Sequence, residues 1–186
     1  MTDYNRDLMR LQLPLFLAHK LKEISPQYGK TVLMKMAYLL QEVYEVPLGY
    51  RFSLYTYGPY SSEVLADLDR SRYRGWVNVE YIEDEVGFQI TLGQNAATLS
   101  ELKDSFKSYE AEVEEVVENF GRFRAKELEL RTTISYVWSK LGGPEEQKGN
   151  QVIESVSQLK PHFKKGEIQT ALEELMEMGV VSLARK

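Results

Sequence analysis

The 186-residue chain contains no cysteine and two histidines, His19 and His162. The first absence removes disulfides, thiolate zinc sites and cysteine nucleophiles. It suits a reducing compartment, so a cytoplasmic protein is expected. The histidines fall in separate helical stretches, neither with another ligand at metal-binding spacing. Surface or satisfied core positions describe them better than a metal site. Long apolar runs are missing too. None approaches the roughly 18 residues of a membrane span, so no membrane partner is expected. The N-terminus, MTDYNRDLMRLQ, is too polar and too mixed in charge for a secretory signal. No Gly-x-Ser-x-Gly marks a nucleophile elbow. Gly29-Lys30-Thr31 has the form of the end of a phosphate-binding loop, but that pattern requires Gly where Ile24 stands. No catalytic set and no cofactor is therefore expected.

What is present is an ordinary globular composition, 43% hydrophobic and 27% charged, in a chain long enough to bury a core without staples. The net charge of −5 is unevenly spread. Residues 1–75 hold ten basic and eight acidic residues, residues 76–118 two and eleven, and residues 119–186 eleven and nine. The acidic middle opposes a broad nucleic-acid face, which would have to be local.

The element pattern begins with a helix from about Asp7 to Ile24, kinked at Pro14 or starting there, and ended by Ser25-Pro26. A second helix runs from about Thr31 to Val43, with Val32, Met36, Leu39, Leu40 and Val43 inward and Lys30 and Lys35 outward. Tyr50, Phe52 and Leu54 alternate with polar residues as a strand does. Gly58-Pro59 then reads as a strand-to-helix corner, with Pro59 at the first helical position. The third helix runs to about Tyr73, where Gly75 is a left-handed cap. A hairpin follows, Trp76, Val77, Val79 and Tyr81 against Phe88, Ile90 and Leu92, with Glu83-Asp84-Glu85 at its turn. This is the element order of a winged helix. The prediction is a mainly helical α+β protein, with a winged-helix-like module over residues 1–93 and a helical region over 94–186. The latter holds a long helix at 95–120 and helices at about 126–141, 151–159 and 167–178. GGPEEQKGN at 142–150 reads as a loop, and Gly179-Val180-Val181 as a cap and a short strand.

Candidate binding residues cluster at the corner and at the end of the third helix. Tyr55, Tyr57 and Tyr60, with Tyr73 nearby, combine large contact area with a polar tip, which suits a protein interface. The alternative is that each is a half-buried sheet residue. Ser61 and Ser62 suit capping of the third helix. Arg70, Arg72 and Arg74 either favour the negative helix end or offer planar forks to phosphate or carboxylate. Against DNA, the acidic hairpin tip and Glu63 repel phosphates.

KTVLMKMAYLLQ at 30–41, YRFSLYTYGPYSSEVLADL at 50–68 and GWVNVE at 75–80 together resemble the YwgA family of small prokaryotic proteins. The same order is similar, more distantly, to the SocA-like or Panacea antitoxin domain. The resemblance covers residues of about 30–92, with LRTTISY at 130–136 and KPHFKKGEI at 160–168 as looser echoes. The YwgA family implies little chemistry. The Panacea group implies binding and neutralising a partner protein, and this chain departs from it by its long acidic helix and helical C-terminal part. The expected function is a non-enzymatic protein-interaction or adaptor module of antitoxin-like kind. The alternative is a DNA-binding winged-helix regulator. Finally, Leu99, Leu102, Phe106, Tyr109, Val113, Val116, Phe120 and Phe123 fall at spacings of three and four. That seam is expected to be covered from within the chain, by the first helix or by residues 128–138, which leaves a homodimer through another surface open.

Overall fold

Seven consecutive side chains, Val32 to Tyr38, are buried along helix α2 (Lys30–Tyr38). A helix apolar on one stripe needs one covering partner, whereas a helix buried all round must lie inside the protein. The computed structural model describes residues 3–83, 87–142 and 145–181 and places α2 at its centre. Around it pack α1 (Asp3–Leu21), α3 (Ser62–Tyr73) and α6 (Ala125–Lys140). Strand β2 (Gly58–Tyr60) and strand β4 (Gly87–Leu92) touch it as well. The protein is mainly helical α+β, and buried residues of both halves of the chain form one hydrophobic cluster. Among the described residues, no helix is long and apolar enough to cross a membrane.

Helix α1 begins earlier than the sequence suggests, at Asp3, and runs through Pro14. It is buried all round from Leu13 to Ala18, with Met9 and Leu21 buried to either side, and the Tyr28 hydroxyl donates to the Pro14 carbonyl at 3.0 Å. It ends at Leu21, before Ser25-Pro26, where the Ser25 N–H closes back on the Leu21 carbonyl at 2.9 Å. The last turn of the second helix widens into a π-helical turn, Leu39–Val43. Within that turn, the Gln41 side-chain amide pairs with both backbone groups of Tyr50, at 2.6 and 2.8 Å, as a neighbouring strand would.

The expected single strand and corner are instead a small hairpin. Strand β1 (Ser53–Tyr55) turns at Thr56-Tyr57 and pairs antiparallel with β2, Ser53 opposite Tyr60 and Tyr55 opposite Gly58. Pro59 is therefore a strand residue, and α3 starts at Ser62. Strand β2 packs against both α2 and α6, so residues 58–60 are held extended before the chain can coil. Gly58 has φ +85°, a region other residues rarely adopt. A Cβ there would lie 2.8 Å from Thr133 Oγ1 and 3.3 Å from Lys35 Nζ. Gly58→Val should therefore lower stability by about 1–3 kcal/mol. A urea midpoint equal to that of the parent would show the position to be unstrained.

The second hairpin is as expected. Strand β3 (Val77–Ile82) pairs with β4 in the register Val77–Leu92, Val79–Ile90 and Tyr81–Phe88, which keeps the alternating apolar residues on one face. Gly75 closes α3 at φ +71°. Tip residues Asp84 and Glu85 lie outside the described residues. The Ile90 N–H bonds the Tyr28 carbonyl at 2.7 Å, tying the segment between α1 and α2 to the edge of β4.

The predicted long helix is two helices, α4 (Leu99–Phe106) and α5 (Glu110–Phe120), with a 3-10 turn at Lys107–Tyr109 between them. A reciprocal capping box between Thr98 and Glu101 sets the start. The break follows from packing, because α4 lies on α1 while α5 lies on the π-helical turn. The apolar seam is covered from within: Leu102, Phe106, Val113, Val116 and Phe120 are all buried. The side chain of Leu99 lies outside the described residues. Helix α6 matches its predicted bounds closely. Helix α7 (Glu145–Leu159) begins inside the predicted loop. Helix α8 (Lys165–Glu177) follows, and Gly179 caps it at φ +70°. Val180 lies in a turn, not in a strand.

Candidate functional site

Hairpin β1–β2 brings three of the sequence-predicted residues to one place. Tyr55 and Tyr57 are 67% and 66% exposed, and Tyr60 is half-buried beside them. The Tyr55 and Tyr60 rings lie 5.7 Å apart. All three line a pocket of about 200 Å³. Helix α2 supplies its other wall through Lys30, Thr31, Met34 and Lys35, and α3 adds Leu65. Helical spacing explains the α2 set, since residues three and four apart share a face. The lining is mostly apolar apart from Lys30, Thr31 and Lys35.

Lys35 corrects the sequence reading most strongly. Helical periodicity places it outward, yet it is 2% exposed. The hairpin and α6 cover that face of α2, so the side chain is held almost wholly away from bulk water while still lining the pocket. Lys35 Nζ donates to the Pro59 carbonyl at 2.8 Å. Beside it, Lys160 Nζ, 3% exposed, donates to Glu129 Oε1 at 2.7 Å and also to the Thr56 carbonyl. His162 Nε2 stands 3.6 Å from the same Glu129 oxygen. Burial pushes the Lys35 amine down to about 7, with Glu129 opposing that shift and Lys160 adding to it.

The sign of the resulting pH effect is fixed. Unfolded, Lys35 keeps its proton to about 10.4, whereas folded it loses the proton near 7. Between those values the unfolded chain binds more protons, so raising pH favours the folded state. Below pH 7 both states are protonated and the burial penalty applies in full. Stability should climb from pH 7 to pH 9 by up to about 1.4 kcal/mol per unit from this group. In Lys35→Met that slope should vanish, which urea titrations at pH 6.5, 7.5, 8.5 and 9 would read.

The other predicted residues are not at this pocket. Arg70 is bonded to buried Asp67 at 2.8 Å, and Arg10 of α1 bonds the other Asp67 oxygen at 2.9 Å. Arg74 lies over the Trp76 ring at 5.6 Å. Arg72 and Tyr73 are exposed at the far end of α3, Tyr73 at 92%. Ser61 stands at the cap of α3, is buried, and makes no side-chain capping bond; its N–H donates to Met34 Sδ at 3.3 Å. Lys30, which does line the pocket, has its Nζ 3.7 Å over the Phe88 ring. His19 meets the Ala97 carbonyl at 3.0 Å.

Sequence reasoning missed Lys35, Glu129 and Lys160 as a set. One signal was present: Lys35 interrupts an otherwise apolar run from Val32 to Leu40. No protein-family model matches the chain, and no curated protein matches it. The class that the site defines is thus a geometric one: a tyrosine-rimmed apolar pocket over a buried lysine pair.

Proposed function

We propose that this chain is a non-enzymatic protein-interaction module that holds a partner on hairpin β1–β2. One observation carries the reading: Tyr55 and Tyr57 stand two-thirds exposed at the tip of the hairpin, beside Tyr60 and an apolar pocket. Clustered aromatic side chains around a concavity are the usual anchors of binding energy at protein interfaces. Strand β2 is braced from behind by α2 and α6, which reduces the backbone ordering that binding requires. Such a module works by occupancy, in the manner of an antitoxin or adaptor, within the cytoplasm. The likeness to the Panacea group points the same way.

The order α1, α2, α3 and hairpin β3–β4, with Tyr28 bonded to β4, supports a winged-helix-like arrangement. Such an arrangement can also read DNA through its third helix. That use is disfavoured by the arginines, since Arg70 is held by Asp67 and Arg74 rests on Trp76. The test is a native pull-down with the wild type and a Tyr55→Ala/Tyr57→Ala variant of equal stability. A partner retained by the first and lost by the second is the expected result. A partner held equally by both, or none at any expression level, would remove the reading.

A further inference from the structure

We infer that the pocket beside hairpin β1–β2 receives the apolar last residue of a partner chain, its free α-carboxylate reaching the Lys35 ammonium. The inference rests on the hairpin being a docking face and specifies the chemistry of what docks there.

Charge is the first argument. The cluster beneath the pocket holds two buried lysines, Lys35 and Lys160, and one carboxylate, Glu129. Glu129 Oε1 accepts from Lys160 at 2.7 Å, while Lys35 is bonded to the uncharged Pro59 carbonyl at 2.8 Å. An ammonium has three donors, and Glu129 serves Lys35 by its field and not by a hydrogen bond. A buried cation lacking its own anion is unfavourable. Lys35 also lines the pocket, so an anion arriving from outside can supply what the fold does not.

Shape and polarity narrow that anion. Met34, Tyr60 and Leu65 present apolar walls, so the group next to the carboxylate must be apolar. About 200 Å³ accommodates one side chain with its carboxylate and no larger element. The Lys30 ammonium lies over the Phe88 ring, which is outside the lining, so Lys35 is the buried cation that a ligand meets, and one negative charge matches it better than the two of a phosphate. An internal Asp or Glu carries its carboxylate on a short stem and leaves polar backbone against the tyrosines. A chain-terminal leucine or phenylalanine satisfies both demands.

The groups facing Lys35 are Glu129 on α6 and Lys160 after α7, with His162 behind Glu129. Lys30 and the phenols of Tyr55, Tyr57 and Tyr60 line the rest of the pocket. Binding a carboxylate requires the Lys35 proton, so affinity should fall as pH rises through 7.

The experiment is calorimetric titration of the full chain with N-acetyl-leucine, N-acetyl-phenylalanine and pentapeptides ending in them, each as free acid and as amide. The free acids should bind and the amides should not. Affinity should be more than tenfold weaker at pH 8.5 than at pH 6. At pH 7.5 two buffers of different ionisation enthalpy should show proton uptake by the wild type, a readout that needs no variant. Lys35→Met should abolish binding, and His162→Gln should keep the same pH profile. Amides that bind as well as acids, an affinity indifferent to pH, or no binding by any free acid would overturn the inference. A partner kept by Lys35→Met but lost by Tyr55→Ala/Tyr57→Ala would leave the docking face standing and sink this inference alone. Free acids binding with no partner captured would leave the carboxylate site standing and sink the docking face.

Discussion

Glu129→Gln should cost roughly 3–5 kcal/mol, more than any single change to the lysines around it. Glu129 is the carboxylate within the cluster, 5% exposed, and its Oε1 accepts the Lys160 ammonium at 2.7 Å. Glutamine keeps the shape and one acceptor oxygen but removes the charge. Lys160 is then a buried cation with only neutral acceptors, the Thr56 carbonyl among them. Lys35 loses the one field that favours its proton. The lysine variants behave differently. Removing Lys35 leaves the Glu129–Lys160 pair intact and removes a buried amine that the fold holds at a cost. Removing Lys160 leaves Glu129 with Lys35, which can take up a full proton in response. The expected order of urea midpoints is therefore Lys35→Met highest, Lys160→Met intermediate and Glu129→Gln lowest. Because the three groups share one network, Glu129→Gln combined with Lys160→Met should be more stable than Glu129→Gln alone. If Glu129→Gln unfolds within about 0.5 kcal/mol of the parent, the lysines are not held as cations and the charge argument for the pocket fails with it.

How much of this was legible follows from what periodicity can and cannot report. The β3–β4 hairpin was readable because Val77, Val79 and Tyr81 alternate against Phe88, Ile90 and Leu92, and the observed register pairs them across the strands. Gly75 was readable as a cap because a left-handed residue was needed where the helical pattern stopped. The tyrosines of the hairpin were readable as candidates from their type, though the reason they meet was not. Thr56-Tyr57 is a two-residue turn without the Asn-Gly or Gly-containing signature that marks a hairpin. Gly58-Pro59 therefore looked like the entry to a helix. Lys35 left a signal in the apolar run it interrupts, but helical periodicity points that signal the wrong way. Helical periodicity assigns polar residues to a wet face, which presumes that one exists. Helix α2 has none over Val32 to Tyr38. Glu129 and Lys160 lie far from Lys35 along the chain, so no spacing rule connects them. The break between α4 and α5 was hidden because each half keeps the same apolar spacing while packing on a different neighbour.

Phe106→Asp should leave the chain unfolded or insoluble, a loss on the order of 3 kcal/mol or more from the ring alone. Phe106 is 1% exposed and lies flat on Phe16 of α1, with ring centroids 4.2 Å apart and planes 6° from parallel. Aspartate there removes the packed ring and places an unpaired carboxylate among apolar side chains. Such a site either keeps the charge at great cost or takes up a proton, and neither restores the contact. The milder Phe106→Ala should remain folded enough to measure and should cost about 3–5 kcal/mol. Phe16→Ala should cost nearly as much. In the double variant the second ring has already lost its partner, so the two losses should fall short of additive by about 0.5–1.5 kcal/mol, the worth of an aromatic pair beyond its buried area. This cycle also decides what the amphipathic pattern of α4 and α5 is for. A seam that closes the protein's own core destabilises the chain when cut, whatever its concentration. A seam that joins two copies would instead give a folded monomer from a dimeric parent. A soluble, native-like Phe106→Asp monomer by sedimentation would thus transfer this helix pair from the core to an interface.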